Sequence, residues 1–153
     1  MFQEMRREDR KLSKNEAVQI LMENQYGVLS TVCEDGYPYG VPLSYVYENE
    51  TLYFHGTNEV SLKDNNIGIS TKACFTVIGK TELLPAKFAT KYESVIAFGR
   101  IKKSTDKQKI LKKIVEKYSL DYMESGEKYI LKAMNKVTVY EFEIEYMSAK
   151  AKK

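Results

Sequence analysis

The chain has 153 residues and a formal net charge of +3, with 24 basic against 21 acidic side chains, too even a balance for the dense basic face that binds nucleic acid. With 43% hydrophobic and 29% charged residues it is neither disordered nor membranous, and 17.7 kDa accommodates one domain, 1–153. No apolar run approaches the ~20 residues of a membrane-spanning helix, and the charged N-terminus has no secretory h-region, so the cytoplasm is the expected address.

Residues 1–12 are mostly charged and aperiodic, which predicts a flexible or partner-draped tail. Ser13-Lys14-Asn15-Glu16 is a capping box, and Ala17, Ile20, Leu21 and Asn24 follow at helical spacing until Gly27. Tyr26–Cys33, residues 37–47 and Thr51–His55 read as a three-strand meander joined by the Glu34-Asp35-Gly36 and Glu48-Asn49-Glu50 turns. A short helix is expected around Ser61–Ile67. Ala73–Gly79 and Tyr92–Lys102 are the next strands, separated by an excursion containing Pro85. A helix near Thr105 places Ile110, Leu111, Ile114, Val115 and Tyr118 on one face and lysines on the other; a weaker one covers Ser125–Asn135. In the last strand Tyr140, Phe142, Ile144 and Tyr146 alternate with Glu141, Glu143 and Glu145, ahead of a basic tail at Lys150, Lys152 and Lys153. Six evenly spaced strands with peripheral helices favour an all-β core closed or nearly closed into a small antiparallel barrel. Periodicity alone leaves an open α+β sheet as the alternative.

The chemistry available is narrow. One histidine and two distant cysteines cannot form a Cys/His zinc cluster, so no metal site is expected. No G-x-S-x-G, G-x-G-x-x-G or G-x-x-x-x-G-K-[ST] is present. Gly40, Pro42 and Ser44 share a strand face of small residues, suited to a flat ligand or to a closely packed helix; Pro42 also marks an edge or interface. His55 is followed by Gly56, which fits either a ligand contact or a histidine that orders the strand end. Lys63, beside a helix start, is a phosphate candidate or a solvated lysine. Ser94 sits between Tyr92 and Ile96 and needs a polar partner.

YGVLSTVCEDGYPYGVPLSYVY, LYFHG with the following Lys63 loop, KACFTVIGKTELLP, YESVIAFGR and VYEFEIEYMSAKAKK resemble, in order and spacing, the pyridoxamine 5'-phosphate oxidase-like split-barrel flavoproteins. The branch they are most similar to is that of the NimA-related nitroimidazole-resistance proteins. The resemblance implies a six-stranded antiparallel split barrel, a homodimer with FMN at its interface, and no membrane or nucleic-acid partner. By position it implies Pro42, Leu43, Ser44, His55, Gly56, Lys63, Ser94 and Val95 as FMN-binding residues, with Lys63 at the phosphate. His55 is the implied catalytic residue, a proton donor to a small acceptor such as a nitroaromatic compound, with NAD(P)H as a candidate electron donor. A non-catalytic flavin sensor or carrier, or a heme-binding split barrel, are the alternative functions. The 56–62 loop is one residue longer than usual and carries Val60 where a glycine is common. The arginine-rich signatures of true pyridoxamine-phosphate oxidases are missing, which argues against vitamin B6 oxidation.

Overall fold

In the computed structural model, which describes residues 2–153, a single antiparallel sheet organises the chain. Its strands are β1 (Tyr26–Val32), β2 (Pro38–Ser44), β3 (Val46–Glu48), β4 (Thr51–Thr57), β5 (Lys72–Leu84), β6 (Ala89–Ser104) and β7 (Val137–Lys152). Four helices surround it: α1 (Lys14–Glu23), α2 (Leu62–Ile69), α3 (Lys107–Tyr118) and α4 (Met123–Ala133). The strand order is β2-β1-β5-β6-β7-β4-β3. This is the expected mostly-β fold with peripheral helices, but it has seven strands and the ladder does not close.

The extra strand comes from the run 37–47, which breaks at Tyr45. β2 and β3 are consecutive in the chain yet lie at opposite edges of the sheet, so the sheet curls until its two edges meet at this one residue. Beyond it the edges part. β2 pairs with β1, β3 pairs with β4, and a wedge opens between β2 and the end of β4.

Tyr45 is fully buried, and its backbone has no strand partner. The C-terminal end of α3 supplies the missing bonds. The Tyr45 N–H donates to the Tyr118 hydroxyl at 2.9 Å, and the Lys117 ammonium donates to the Tyr45 carbonyl at 2.9 Å and to the Asn24 carbonyl at 2.7 Å. The Tyr45 hydroxyl donates to the Leu21 carbonyl of α1 at 2.6 Å. A buried backbone group without a partner costs about 1–3 kcal/mol, which is why the crossing requires α3.

Two cores result. Inside the curl, Leu21, Leu29, Leu52, Phe54, Phe75, Ile101 and Phe142 pack together, with α1 closing one end through Ala17, Ile20 and Leu21. Outside, α3 and α4 bury Ile110, Leu111, Val115 and Ile130 against Val137 and Val139 of β7. The other outer surface, across β2, β1, β5 and β6, has no helical cover and leaves Tyr26, Ile78 and Phe98 exposed.

β7 departs from the simple alternation. Phe98 faces Tyr146 but its neighbour Gly99 faces Ile144, so Glu145 is an inserted residue that reverses the faces. Tyr146, expected beside Tyr140 and Phe142, lies instead on the uncovered surface, where Phe2 stacks on it at 5.0 Å. Gly99 is required there, because a Cβ would run into the Glu143 carbonyl. The Pro85 excursion is also more regular than expected. β5 and β6 continue as a projecting two-stranded arm, and Pro85 begins the tight turn at its tip. The basic residues Lys150 and Lys152 belong to β7. Of the predicted tail, Met1 lies outside the described residues; Glu8–Arg10 form a 3-10 turn and Lys11 bridges to Lys150.

Replacing Tyr118 by Phe removes the acceptor of the Tyr45 N–H. Urea unfolding is expected to show a loss of about 1–3 kcal/mol, with helix content by circular dichroism unchanged.

Candidate functional site: the wedge between β2 and β4

Because Val46 faces Tyr53, continued pairing would have set Ser44 beside His55 and Leu43 beside Gly56. The wedge separates those pairs and turns their backbone edges into two facing rims. Pro42 opposes Val28 of β1 without an N–H to offer, so its nitrogen turns to the wedge side. Gly40, Pro42 and Ser44 form an exposed stripe of small residues on the outer side of this rim, while Leu43 packs inward against the core.

On the opposite rim, His55 and Gly56 point to different sides of β4. His55 shares the outer side with Tyr53 and Val139, next to the α3–α4 layer. Its imidazole is half-buried, and that burial lowers its pKa below the ordinary 6.5. Gly56 points inward, where a Cβ would lie 3.9 Å from the Tyr140 ring and 4.0 Å from the Lys63 ammonium. Gly56 thus keeps its flank of the Lys63 ammonium free of a side chain.

Lys63 stands in the first turn of α2, which Ser61 and Asp64 cap reciprocally. It is only 8% exposed. Its ammonium donates to the Tyr140 hydroxyl at 2.9 Å, lies 4.2 Å from the centre of that ring, and is 3.5 Å from the Asp64 carboxylate. Tyr140 in turn donates to Asp64, and Lys103 approaches the same carboxylate at 3.9 Å. Burial lowers the Lys63 pKa, which the charge and hydrogen bond of Asp64 partly counter. Burial would raise Asp64, but the bonds from Tyr140 and Ser61 and the charge of Lys63 outweigh it and hold it at about 2. Burial first, then Asp64, pushes the Tyr140 phenol up. Two lysines against one carboxylate leave the foot of the wedge one positive charge in excess.

The fold therefore brings Pro42, Leu43, Ser44, His55, Gly56 and Lys63 around one opening. Ser94 and Val95 lie elsewhere. Val95 is in the inner core, 1% exposed, and has no side-chain surface to give a ligand. Ser94 is on the uncovered surface, between Ile78 and Lys150, with no protein partner for its hydroxyl among the described residues. Lys103 stands opposite Tyr140, and nine residues of extended strand, about 30 Å, separate it from Ser94.

Asp64, Tyr140 and Lys103 were not singled out in the sequence. Asp64 could have been found, since Ser61-Leu62-Lys63-Asp64 has the spacing of a capping box. Tyr140 carried no such mark within an alternating strand.

A family model described as pyridoxamine 5'-phosphate oxidase matches residues 13–151. The chain belongs to the pyridoxamine 5'-phosphate oxidase family. Solved structures share the family fold at low identity. A Bacteroides thetaiotaomicron protein named for 5-nitroimidazole antibiotic resistance is 22% identical with a TM-score of 0.76, over 92% of this chain and 86% of that one. A conserved hypothetical protein of Mycobacterium tuberculosis is 16% identical with a TM-score of 0.80, over 96% and 90%. An FAD-binding protein of Mesorhizobium loti is 23% identical with a TM-score of 0.64, over 94% and 98%. No curated protein matches the chain.

Asp64 titrates at about 2 in the folded chain against 3.8 ordinarily, so its contribution to stability is complete above pH 4 and lost as pH falls towards 2. Unfolding free energies measured between pH 4 and 2 are expected to fall more steeply in the native protein than in Asp64→Asn. At neutral pH the same substitution strips Lys63 of its buried counter-charge and is expected to cost about 3 kcal/mol.

Proposed function

We propose that this family member is an FMN-binding homodimer in which each flavin lies between two chains and passes electrons to a small acceptor such as a nitroaromatic compound. The observation that carries this reading is the separation of Lys63 from Ser94. Both are positions the family resemblance assigns to the cofactor, yet in one chain Lys63 reaches the inner side of the sheet beside Tyr140 while Ser94 lies on its outer surface. The sheet itself stands between the two positions, so one FMN molecule would meet Lys63 of one chain and Ser94 of the other. The uncovered outer surface of the sheet, which bears Ser94, is the natural face for the second chain, since exposed Tyr26, Ile78 and Phe98 gain most from burial.

The residues at the wedge fit a flavin. The small stripe of Gly40, Pro42 and Ser44 lets a flat ring approach the backbone, and the Lys63 ammonium beside the bare backbone of Gly56 is a cation for an anionic phosphate. FAD, which carries the same ring system, is what the Mesorhizobium loti neighbour and a neighbour from Mycobacterium smegmatis are named for binding. Bound there, a flavin supplies two-electron and one-electron transfer between a donor such as NAD(P)H and the acceptor. The chain's part would be to hold the ring at the rims, to neutralise the phosphate through Lys63, and to bring His55 to the outer rim as a proton donor to the acceptor. The acceptor is not pyridoxamine phosphate, because the arginines that would read its phosphate have no counterpart in this sequence.

Lys63→Ala is expected to weaken FMN at least about tenfold, or about 1.4 kcal/mol, while riboflavin affinity changes little. Equal losses would place Lys63 away from the phosphate. The shared site has a sharper test by subunit mixing. Lys63→Ala and Ser94→Trp homodimers each bind FMN poorly, whereas a heterodimer of the two regains one intact site. No recovery in the mixture, or a monomer by light scattering, would refute the two-chain site.

His55 gives a separate test. With its pKa lowered by burial, the reoxidation of reduced flavin by a nitroaromatic acceptor is expected to slow as pH rises through a value below 6.5. That dependence should vanish in His55→Gln while FMN affinity is retained; a profile identical in the two proteins leaves His55 without a role in proton transfer.

A further inference from the structure

The Asp64 carboxylate divides its two oxygens between different tasks. Oδ2 accepts from the Ser61 N–H and from the Ser61 hydroxyl, both at 2.8 Å, which fixes the carboxylate at the start of α2. Oδ1 accepts from the Tyr140 hydroxyl. The Lys63 ammonium stands 3.5 Å from that same oxygen, and the Lys103 ammonium 3.9 Å from it. A direct charge-assisted bond would be about 2.7–2.9 Å long, so neither lysine makes one.

What stands between Lys63 and Asp64 is a hydroxyl. Tyr140 accepts from Lys63 at 2.9 Å and donates to Oδ1. Its side chain is fully buried, and strand pairing sets it between Phe54 of β4 and Lys103 of β6. The backbone register, and not the charges it links, therefore holds the hydroxyl in place. An ammonium has three donors. Lys63 gives one to Tyr140, and the other two have no acceptor at hydrogen-bond distance among the described residues.

Without the hydroxyl the same side chains would settle differently. Oδ1 would lose its donor, and two lysines could replace it. Lys103 is exposed and has water as an alternative. Lys63 is nearer and withdrawn from solvent, so it gains more by closing on the carboxylate. An ammonium paired in that way has little left for a second anion.

We propose that the Tyr140 hydroxyl is a positioning group of the phosphate site: by occupying Asp64 Oδ1 it keeps Lys63 apart from its own counter-charge and free to bind a phosphate monoester. This rests on the proposed function in taking Lys63 as the phosphate contact. The roles within the cluster then differ. Asp64 keeps the buried lysine charged, and Tyr140 keeps that charge from being satisfied internally.

The test compares FMN with riboflavin, which lacks the phosphate, by calorimetric titration of the full-length protein at pH 6, so that Lys63 retains its proton. Tyr140→Phe keeps the ring and is expected to weaken FMN at least about fivefold, or about 1 kcal/mol, with riboflavin unchanged. Asp64→Asn removes the carboxylate on which Lys63 would close. It is expected to keep the preference for FMN, and the double variant Tyr140→Phe/Asp64→Asn to regain it. A hydroxyl that served packing alone would weaken both flavins together, and the second substitution would add to the loss. Equal losses in Tyr140→Phe, an undiminished preference there, or no recovery in the double variant would each overturn the role of Tyr140. A preference lost in Asp64→Asn would overturn it too, whether or not Tyr140→Phe folds. Lys63→Ala separates this inference from the reading beneath it. If Lys63→Ala abolishes the preference and Tyr140→Phe does not, the phosphate site stands and the role of Tyr140 falls; if Lys63→Ala leaves the preference intact, both fall.

Discussion

Everything near the wedge depends on how the backbone of Tyr45 is satisfied. A strand that serves both edges of a curled sheet must leave one ladder before it joins the other, and the residue between has no strand neighbour. Here Lys117 and Tyr118 of α3 take that neighbour's place. Side chains can reach one residue from outside the sheet, so they satisfy the crossing without covering what lies beyond it. A further strand would have closed the gap. The opening is thus a consequence of where the hydrogen bonds come from, and the position of α3 fixes where it begins.

The foot of the wedge follows a different logic. A lysine withdrawn from water is stable only with compensation, and Lys63 receives it from the Tyr140 hydroxyl, the face of the same ring and the Asp64 carboxylate. Asp64 is itself held by the Ser61 cap. The helix start, the strand tyrosine and the lysine are therefore one unit, rigid before any ligand arrives. A cation fixed in advance spends less side-chain entropy on binding than a surface lysine does, and its partial neutralisation by Asp64 moderates its attraction for a phosphate.

Much of this was legible in the sequence where the information is local. The capping box at Ser13 and Glu16 places the start of α1, although the helix ends at Glu23 and Gly27, expected to stop it, lies within β1; the alternation from Tyr140 to Ile144 gives the faces of β7 up to the inserted Glu145. What could not be read is set by distant partners. Residues 37–47 are strand formers throughout, and the break at Tyr45 is created by a tyrosine 73 positions later in the chain. The site shows the same limit. Pro42, Ser44, Gly56 and Lys63 lie about the wedge, but sequence proximity says nothing about whether Ser94 serves the same chain's wedge or another's. The curled sheet sends it to a different surface.

Pro42 connects the wedge to the stability of an open barrel. Two facing strand edges are a standing invitation to pair, either with each other or with another chain. In β2 the proline turns to the free side a position with no donor, and Gly40 beside it has no side chain with which to reinforce a cross-strand contact. Closing β2 onto β4 would set Pro42 opposite Thr57, where the ladder would lack a bond, and would bring the rims together over Lys63, whose buried charge is shared with Lys103 against the single carboxylate of Asp64. The sequence thus disfavours closure at both ends of the opening, by a missing N–H at the rim and by a buried cation at the foot. A slot that its own edges cannot fill remains open to a flat molecule that requires neither edge to complete a ladder.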